Sequence, residues 1–376
     1  MALIGAGARG TVLAGYMAKH VEVELRAVVD VDAERSRRFC QQFNPGAVAV
    51  PVEHLLRLNV DAWVVATPDA SHGHYARLSF DRNVHLLCEK PIGISLSELD
   101  DLESSLEQCD NDRVVMSAFV LRHHRFYQRL RELVAELGVI RHVAIHDLLW
   151  GSYMFRRWHR LRIATGGPVA HEGVHSLDQL TIMGFEQLRC EMASADRAWF
   201  VPRPGVGPVC SECVIRDSCT EYFDAASDPL RHLYETPRKQ EGYARDLCVF
   251  NAMADVEDLV TARLRSASGA VVDYSLCLFS TDQSRRFTFL GTEGTVVADE
   301  ASGQLVLSTR RTARCVIQIP KAAGLYGGSD EAMFGRFVER IMLRQVGGED
   351  FSQALQSSRM ALGIESTLAS SAVAAV

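Results

Sequence analysis

One pentapeptide, His171-Glu172-Gly173-Val174-His175, has residue types and a spacing that could do chemistry. On a helix, histidines four residues apart share one face, and here a carboxylate lies between them. The same His-Glu-x-x-His spacing binds zinc in one class of peptidase. The alternative is that the imidazoles exchange protons with a substrate in a different reaction.

The peptidase hypothesis requires a third zinc ligand, and the chain offers no clear candidate. One subclass has glycine three residues after the second histidine, where this chain has Asp178. No later glutamate is clearly placed on a second helix. The chain contains 13 histidines, so a pentapeptide of this kind also arises by chance. We therefore reject a zinc peptidase.

Composition restricts the class of protein further. A length of 376 residues favours two domains, and 47% hydrophobic with 23% charged residues is typical of globular proteins. The net charge of −7 argues against non-specific nucleic-acid binding, which requires a basic surface. No apolar run is long enough to cross a membrane, and the N-terminus lacks the basic region of a signal peptide. Ten scattered cysteines predict reduced thiols and a cytoplasmic location.

A glycine-rich loop near the N-terminus predicts a dinucleotide site. Gly5-Ala6-Gly7-Ala8-Arg9-Gly10 fits G-x-G-x-x-G between an apolar strand and a helix, and Asp30 ends the next strand twenty residues later. Glycines let the backbone approach a pyrophosphate, the helix N-terminus offers free N–H groups, and the carboxylate accepts ribose hydroxyls. Asp30 and Asp32 would repel a ribose phosphate, which favours NAD over NADP, although three nearby arginines keep NADP open: Arg35, Arg37 and Arg38.

Two more apolar strands end in residues suited to the same edge of a parallel sheet. The segment 60–76 is interrupted by Thr67-Pro68, and the segment 83–91 ends in Glu89-Lys90-Pro91. In doubly wound sheets, ligands bind beyond the carboxyl ends of the strands. Pro91 restricts the backbone of Lys90 to an extended or turn conformation, which limits where its ammonium can point.

Five motifs in order, GAGARG, VVDVD, ATPDASH, EKP and GG…GVHSLD, resemble the Gfo/Idh/MocA family of glucose–fructose oxidoreductase and inositol dehydrogenase. The resemblance covers nearly the whole chain. It implies an α/β protein with an N-terminal Rossmann domain, residues 1–120, and a C-terminal α+β domain, residues 121–376, with a large, mostly antiparallel open sheet. It also implies a nicotinamide cofactor and a sugar or cyclic polyol substrate. The predicted cofactor-binding residues are Gly5, Gly7, Ala8, Arg9, Gly10, Asp30, Thr67, Pro68, His72, Glu89 and Lys90.

The second half of the chain alternates or runs apolar in the manner of strands. Amphipathic helices are predicted at 125–138 and in the last fifty residues, and seven strand-like segments lie between 139 and 319. The motif containing the two histidines is predicted to open a helix that ends at Gly184. So broad a sheet suits pairing between subunits, and we expect a homodimer or homotetramer.

The resemblance places Lys90 beside the nicotinamide and the substrate, and it matches His175 to the family's histidine. One turn earlier, the family has a carboxylate and this chain has His171. An imidazole suits removal of a hydroxyl proton, and Lys90 can stabilise the resulting oxygen. Because His171 replaces the family's carboxylate, the sequence leaves open which of the two imidazoles is the base. It also keeps a redox-neutral reaction through transient oxidation open, such as epimerisation, elimination or glycoside cleavage. A non-catalytic sensor of dinucleotides or sugars is a third hypothesis.

A segment just before the histidines, YMFRRWHR, is close enough in sequence to line the same cleft. Trp158 can stack on a sugar ring, and Arg157 can bind a hydroxyl, carboxylate or phosphate. We predict Arg157, Trp158, His159 and Glu172 as substrate contacts, and a basic surface loop is the alternative for the first three.

A cysteine cluster lies within a Pro- and Gly-rich region at about 203–250. Cys210, Cys213 and Cys219 have the spacing C-x₂-C-x₅-C, and Cys248 is the candidate fourth ligand for a structural zinc. Reduced thiols or one disulfide remain the metal-free alternative. The spacing fits an iron–sulfur cluster poorly.

Overall fold

The structure is a computed structural model. It describes residues 1–109, 112–185, 187–234, 244–251, 253–311, 313–321 and 325–374. Part of the expected cysteine-rich region, 235–243, and the last two residues of the chain lie outside these ranges.

The N-terminal part is built on a six-stranded sheet in which every neighbouring pair is parallel. The strand order is β3-β2-β1-β4-β5-β6, the doubly wound order expected of a dinucleotide-binding fold. The central strands are short, apolar and fully buried, because helices cover both faces. The strands are β1 Ala2–Ile4, β2 Ala27–Val29, β3 Val48–Val50, β4 Ala62–Val65, β5 His85–Cys88 and β6 Val115–Ser117.

Four helices connect these strands. Asp32 caps the second helix by accepting hydrogen bonds from the backbone N–H groups of Glu34 and Arg35, and Ser95 caps the fourth in the same way. The helices are α1 Ala8–Met17, α2 Ala33–Phe43, α3 His72–Asp81 and α4 Leu96–Gln108.

The C-terminal part is built on an eight-stranded sheet with the order β14-β13-β12-β11-β7-β10-β9-β8. All neighbouring pairs are antiparallel except β10 with β7. The predicted large, mostly antiparallel sheet is confirmed. The strands are β7 Ile140–Trp150, β8 Arg189–Asp196, β9 Leu259–Arg265, β10 Val271–Cys277, β11 Phe279–Gly291, β12 Gly294–Asp299, β13 Gln304–Thr309 and β14 Cys315–Gln318.

Five further helices complete the described elements, and the last one packs against elements of both sheets, including β6 and β8. Short 3₁₀ turns at Ser152–Phe155 and Trp158–Arg160 lead from β7 towards the histidine motif. The helices are α5 Arg125–Val134, α6 Arg162–Thr165, α7 Val174–Ile182, α8 Ser329–Met342 and α9 Glu349–Ala374.

The histidine motif differs from the prediction of one regular helix. Val169–Gly173 forms a π-helical turn, and α7 starts only at Val174 and ends before Gly184, whose φ is +83°. π-helical turns cost backbone hydrogen-bond geometry and occur frequently at functional sites. Three strands, β3, β6 and β8, were not predicted from the sequence.

Candidate active site

The glycine-rich loop between β1 and α1 has the close approaches that a dinucleotide cradle requires. Gly5 has a φ of +102°, and a Cβ there would lie 2.4 Å from the carbonyl oxygen of Ala66. A Cβ on Gly10 would lie 2.1 Å from the carbonyl oxygen of Gly5. Only glycine fits at both positions, and α1 therefore begins with N–H groups directed at the space in front of the loop.

Asp30 lies at the end of β2 as predicted, but protein groups already engage its carboxylate. Its oxygens accept hydrogen bonds from the backbone N–H groups of Ala6, at 2.8 Å, and Asp32, at 2.9 Å. Arg35 pairs with the same carboxylate at 3.0 Å. Asp30 thus connects the glycine loop to the end of β2 by hydrogen bonds, and the positive charge of Arg35 faces the Asp30 carboxylate.

The hydroxyl of Tyr234 lies at the anion-binding end of α1, a contact that the sequence did not predict. The backbone N–H of Ala8 donates to this hydroxyl at 3.1 Å, and a Cβ on Gly7 would lie 3.1 Å from the same oxygen. The tyrosine ring lies near two guanidinium groups, those of Arg35 at 5.3 Å and Arg245 at 4.3 Å. A hydroxyl therefore occupies the place where a pyrophosphate oxygen would meet the loop.

Three of the predicted cofactor residues make protein contacts at the edge of the glycine-rich loop. Glu89 accepts from the guanidinium of Arg9, which also pairs with Asp330 of α8. The buried ring of His72 contacts the carbonyl oxygens of Pro91, at 2.7 Å, and Thr67, at 2.8 Å. His72 thereby joins the ends of β4 and β5.

A cavity of about 370 Å³ opens in front of the loop, between the two sheets. The peptide bond between Lys90 and Pro91 is cis, and the Lys90 ammonium donates to the carbonyl oxygen of His171 at 2.5 Å. All the predicted catalytic and substrate residues line this cavity together with six of the predicted cofactor residues, whereas Gly5, Gly7, Gly10, Asp30 and Pro68 do not line it. Lining it are Ala8, Arg9, Thr67, His72, Glu89, Lys90, Arg157, Trp158, His159, His171, Glu172 and His175.

His171 forms a buried pair with Asp69, which follows Thr67-Pro68 in the first part of the chain. The two residues meet through Nδ1 and a carboxylate oxygen at 2.6 Å. The other ring nitrogen, Nε2, lies 3.8 Å from a carboxylate oxygen of Glu172. A carboxylate that fixes one imidazole nitrogen leaves the other available for proton transfer.

Glu172 is the anionic centre of the cavity. It accepts hydrogen bonds from the hydroxyl of Tyr153 and from Arg285, the latter at 3.0 Å. Burial alone would raise the pKa of Glu172, but the positive charges of Lys90 and Arg285, joined by His171 in its protonated form, outweigh burial and hold the pKa below its usual value. Glu172 is therefore ionised at neutral pH.

His175 lies on α7 in the wall of the same cavity. Its ring meets that of Phe119 edge-on, with 6.2 Å between the ring centroids. Burial lowers the pKa of His175 well below its usual range, and the positive charges of Lys90 and Arg285 lower it further. Its Nδ1 is buried without a hydrogen-bond partner among the described residues. Because its pKa is lowered, His175 is neutral at pH 7.

The aromatic residues predicted as substrate contacts form one cluster with the histidines. The rings of Trp158 and His159 are stacked, with 3.7 Å between their centroids. The ring of His159 also meets that of His171 edge-on, with 4.6 Å between the centroids. Burial lowers the pKa of His159 well below its usual range, with a further lowering by His171 and Arg157. Arg156, by contrast, points away from the cavity residues and donates to the Cys210 sulfur at 3.4 Å.

Residues 1–118 match the family model GFO_IDH_MocA, described as an oxidoreductase family with an NAD-binding Rossmann fold. The chain is an oxidoreductase whose residues 1–118 are similar to the NAD-binding part of the Gfo/Idh/MocA family. Its cofactor class is NAD(P), in agreement with the cradle formed by Gly5, Gly7 and Gly10.

Two relatives in Bacillus subtilis (strain 168) illustrate how far the sequence similarity extends. YteT, assigned as an oxidoreductase, is 25% identical over 308 residues, which cover 74% of this chain and 70% of YteT. Glucose-6-phosphate 3-dehydrogenase is 28% identical over 185 residues, and the aligned part spans 51% of that relative and 47% of this chain. A solved oxidoreductase domain protein from Kribbella flavida shares the fold, with a TM-score of 0.75 and 17% identity over 98% of this chain and 96% of that one.

The rejected peptidase hypothesis gains no support from the surroundings of His171 and His175. Asp178 is buried and pairs with Arg122 at 2.6 Å, so it is not directed at the histidines. Nor does any group of three or more His, Cys, Asp or Glu side chains within the described ranges have an arrangement that could hold a metal ion.

The four cysteines of the predicted zinc site nevertheless gather around one small cavity. Cys210, Cys213, Cys219 and Cys248 all line it, and the backbone N–H of Gly207 donates to the Cys213 sulfur at 3.4 Å. All ten cysteines of the chain are free thiols. Their arrangement brings the four side chains together but does not by itself support zinc.

Sequence reasoning missed several residues of the site because they come from distant segments. The signal for Asp69 was present, since it stands inside the ATPDASH motif, but its partner His171 is 102 residues away. Tyr153 lies inside the YMFRRWHR segment, which also contains Trp158. Arg285 and Tyr326 had no local signal.

Among the helices whose residues are described, none is long and apolar enough to span a membrane.

Proposed function

We propose that the chain moves hydride between a nicotinamide and a secondary alcohol or ketone of a sugar, cyclitol or sugar-like substrate. The observation that carries the proposal is the convergence of Lys90, His171 and His175 on one cavity in front of the glycine-rich loop. The similarity to glucose-6-phosphate 3-dehydrogenase supports a sugar-like substrate.

The cofactor would be held by the loop from Gly5 to Gly10, by Asp30 and by the strand ends at Thr67-Pro68 and Glu89-Lys90. When bound, it supplies the hydride acceptor or donor. We favour NAD over NADP because Arg35, the nearest cation to Asp30, already pairs with Asp30 at 3.0 Å and lies 3.7 Å from Asp32. A ribose phosphate would have to compete with these carboxylates for the guanidinium.

His171 is the proposed base for the hydroxyl proton. Asp69 fixes its Nδ1, so Nε2 can receive the proton on the cavity side. The resulting imidazolium would lie between two carboxylates, those of Asp69 and Glu172, which stabilise its charge.

Lys90 and His175 have complementary proposed roles. The Lys90 ammonium stabilises negative charge on the reacting oxygen, and neutral His175 donates or accepts a hydrogen bond through its ring. Arg157, Trp158, His159 and Glu172 are proposed to contact the substrate, with the stacked Trp158–His159 pair offering an apolar face to a sugar ring.

The direct test is a screen of sugars and cyclitols, with and without phosphate, in which NADH fluorescence is followed with the purified protein. We expect NADH to accumulate with at least one substrate and this activity to fall at least 100-fold in the Lys90→Ala, His175→Ala double variant. Wild-type turnover in the double variant would overturn the catalytic roles. A protein that binds NAD and sugars but turns over none would instead favour the sensor hypothesis.

A redox-neutral reaction through transient oxidation is the second candidate. The Asp69–His171 pair favours this candidate, because His171 would be a second base beside His175. Such a base can remove the proton next to a newly formed carbonyl, which leads to epimerisation, elimination or glycoside cleavage. Product formation without net NADH, measured by chromatography alongside absorbance at the NADH band, distinguishes this candidate.

A structural zinc held by Cys210, Cys213, Cys219 and Cys248 is a separate proposal that starts from the C-x₂-C-x₅-C spacing, and the four thiols line one small cavity. Elemental analysis should find about one zinc per chain, and less in a Cys213→Ser variant than in a Cys190→Ser control. Absence of zinc from protein purified without chelators would contradict it.

We also infer a domain boundary near residue 120, between the end of β6 at Ser117 and the start of β7 at Ile140.

Homodimer or homotetramer formation through the larger sheet is supported by exposed apolar side chains on its strands: Met192, Leu290, Val297 and Val316. Light scattering measures the assembly directly. The ten free thiols support a reducing compartment such as the cytoplasm.

A further inference from the structure

A second cavity adjoins the one that holds the histidines, and none of the chemistry above uses it. Its volume is about 520 Å³, and Tyr153, Glu172 and Tyr326 line both cavities. These three side chains form the boundary across which a single ligand could extend. The second cavity lies over the end of β7 and the turn between β12 and β13, away from the glycine-rich loop.

In the proposed function, the first cavity is occupied by the cofactor and the reacting ring. Ala8, Arg9 and Thr67, which belong to the dinucleotide-binding edge, line one side of it, and the histidines line the other. Its volume of about 370 Å³ must therefore hold the nicotinamide end of the cofactor together with the ring that reacts. A substituent on that ring would have to pass the boundary residues into the second cavity.

The wall of the second cavity combines apolar surface with hydrogen-bonding groups. Phe126, Leu149 and Trp150 supply the apolar part, and the Trp150 indole N–H donates to Glu221 at 3.1 Å, which fixes the ring. Gln283 and Lys321 are exposed at its rim. An aromatic face with polar groups around it matches a sugar ring, whose C–H faces are apolar and whose edges carry hydroxyls.

Charge in the second cavity argues against a phosphate-bearing substituent. The guanidinium of Arg285 is occupied by Asp147, at 3.2 Å, and Glu172, at 3.0 Å. Burial lowers the pKa of His124, so its ring is neutral at pH 7. Among the described residues that line the cavity, Lys321 is the one cation without an ion pair, and the carboxylate of Glu300 faces the same space.

We infer that the second cavity is a subsite for a further, uncharged sugar unit, so that the substrate is a disaccharide, oligosaccharide or glycoside rather than a free monosaccharide. The ring beside the nicotinamide is the one oxidised or reduced, and its glycosidic neighbour lies against Trp150. This inference rests on the proposed function, since it names the substrate class of the same site.

The test compares matched pairs of substrates that share the reacting ring. Glucose with cellobiose and maltose, galactose with lactose, and xylose with xylobiose are assayed for NAD⁺ reduction, and UDP-glucose and glucose 6-phosphate are added as charged probes. We expect kcat/KM for at least one disaccharide to exceed that of its monosaccharide by tenfold or more. The Gln283→Trp variant fills the rim of the second cavity, and it should lower this ratio at least tenfold.

Thr281→Trp is the matched control, because Thr281 is exposed on the same strand and does not line either cavity. It should leave the ratio within twofold of the wild type. Equal kcat/KM for mono- and disaccharides, a ratio insensitive to Gln283→Trp, or a preference for the charged probes would each overturn the subsite while leaving the oxidoreductase proposal intact. No turnover of any sugar would overturn both.

Discussion

Removal of the Tyr234 hydroxyl should tighten cofactor binding. In the structure this hydroxyl accepts the Ala8 N–H at 3.1 Å and lies against Gly7, where a pyrophosphate oxygen would approach the loop. The cofactor must therefore replace this hydrogen bond when it binds. Tyr234→Phe removes the hydroxyl and keeps the ring that lies near Arg35 and Arg245.

The expected magnitude follows from the loss of the hydrogen bond between the Ala8 N–H and the Tyr234 hydroxyl. A hydrogen bond between neutral groups contributes about 0.5–1.5 kcal/mol net. If the free protein no longer has this bond, the dissociation constant for NAD⁺ or NADH should fall by about 2- to 13-fold. The cost of moving the ring is common to both proteins and does not enter the difference.

Titration of NADH by fluorescence, checked for NAD⁺ by calorimetry, measures the two constants. Tyr222→Phe serves as the control, because Tyr222 is exposed in the same region and does not line the cavity in front of the glycine loop, and it should leave the dissociation constant unchanged. Weaker binding by Tyr234→Phe would mean that the hydroxyl is a ligand of the cofactor. Unchanged binding would mean that it does not compete. Either result refutes the reasoning.

Three further predictions concern the proton relay, buried imidazoles and the glycine loop. Asp69→Asn should lower kcat by about 10²–10⁴-fold, because His171 loses the carboxylate that fixes its Nδ1 and orients its ring; a kcat equal to that of the wild type would show that proton transfer does not depend on Asp69. Because burial lowers the pKa of His159, the unfolded chain binds its proton more readily, so the free energy of unfolding should fall as pH drops below about 6.5, by at most about 1.4 kcal/mol per pH unit. Thermal melts from pH 7.5 to 5.5 should show a shallower fall for His159→Phe, and identical slopes would contradict the assignment. Gly10→Ala should destabilise by about 1–3 kcal/mol in urea unfolding, since its Cβ would meet the Gly5 carbonyl oxygen at 2.1 Å, whereas Gly15→Ala, with open space around it in α1, should stabilise by about 0.5–1 kcal/mol; equal effects would refute the close approach.

Local patterns were sufficient wherever a function depends on consecutive residues. The glycine spacing and the apolar runs before Asp30, Thr67 and Glu89 predicted the parallel sheet and its binding edge, because a strand, a tight turn and a helix N-terminus are each encoded within about ten residues. The two short strands β3 and β6 were missed, since three-residue strands have no periodicity to detect.

The π-helical turn at Val169–Gly173 could not be predicted for a related reason. Its five residues have no composition that separates them from an α-helix, and the conformation is stabilised by contacts with other segments. One such contact is the bond from the Val169 N–H to Glu365 of α9 at 2.7 Å. Tertiary packing therefore overrides a local helical preference at the point where the histidines enter the cavity.

The sequence by itself determined which groups this protein can use: a glycine cradle, a lysine at a strand end and two imidazoles one turn apart. Only the tertiary structure decided how they are paired, because His171 finds Asp69, Glu172 finds Arg285, and Ala8 finds Tyr234 across separations of 102, 113 and 226 residues. Hydrogen bonds and pKa values depend on distances of a few ångströms between atoms. Such distances are set by how the two sheets pack together and leave no trace in the spacing of residues along the chain.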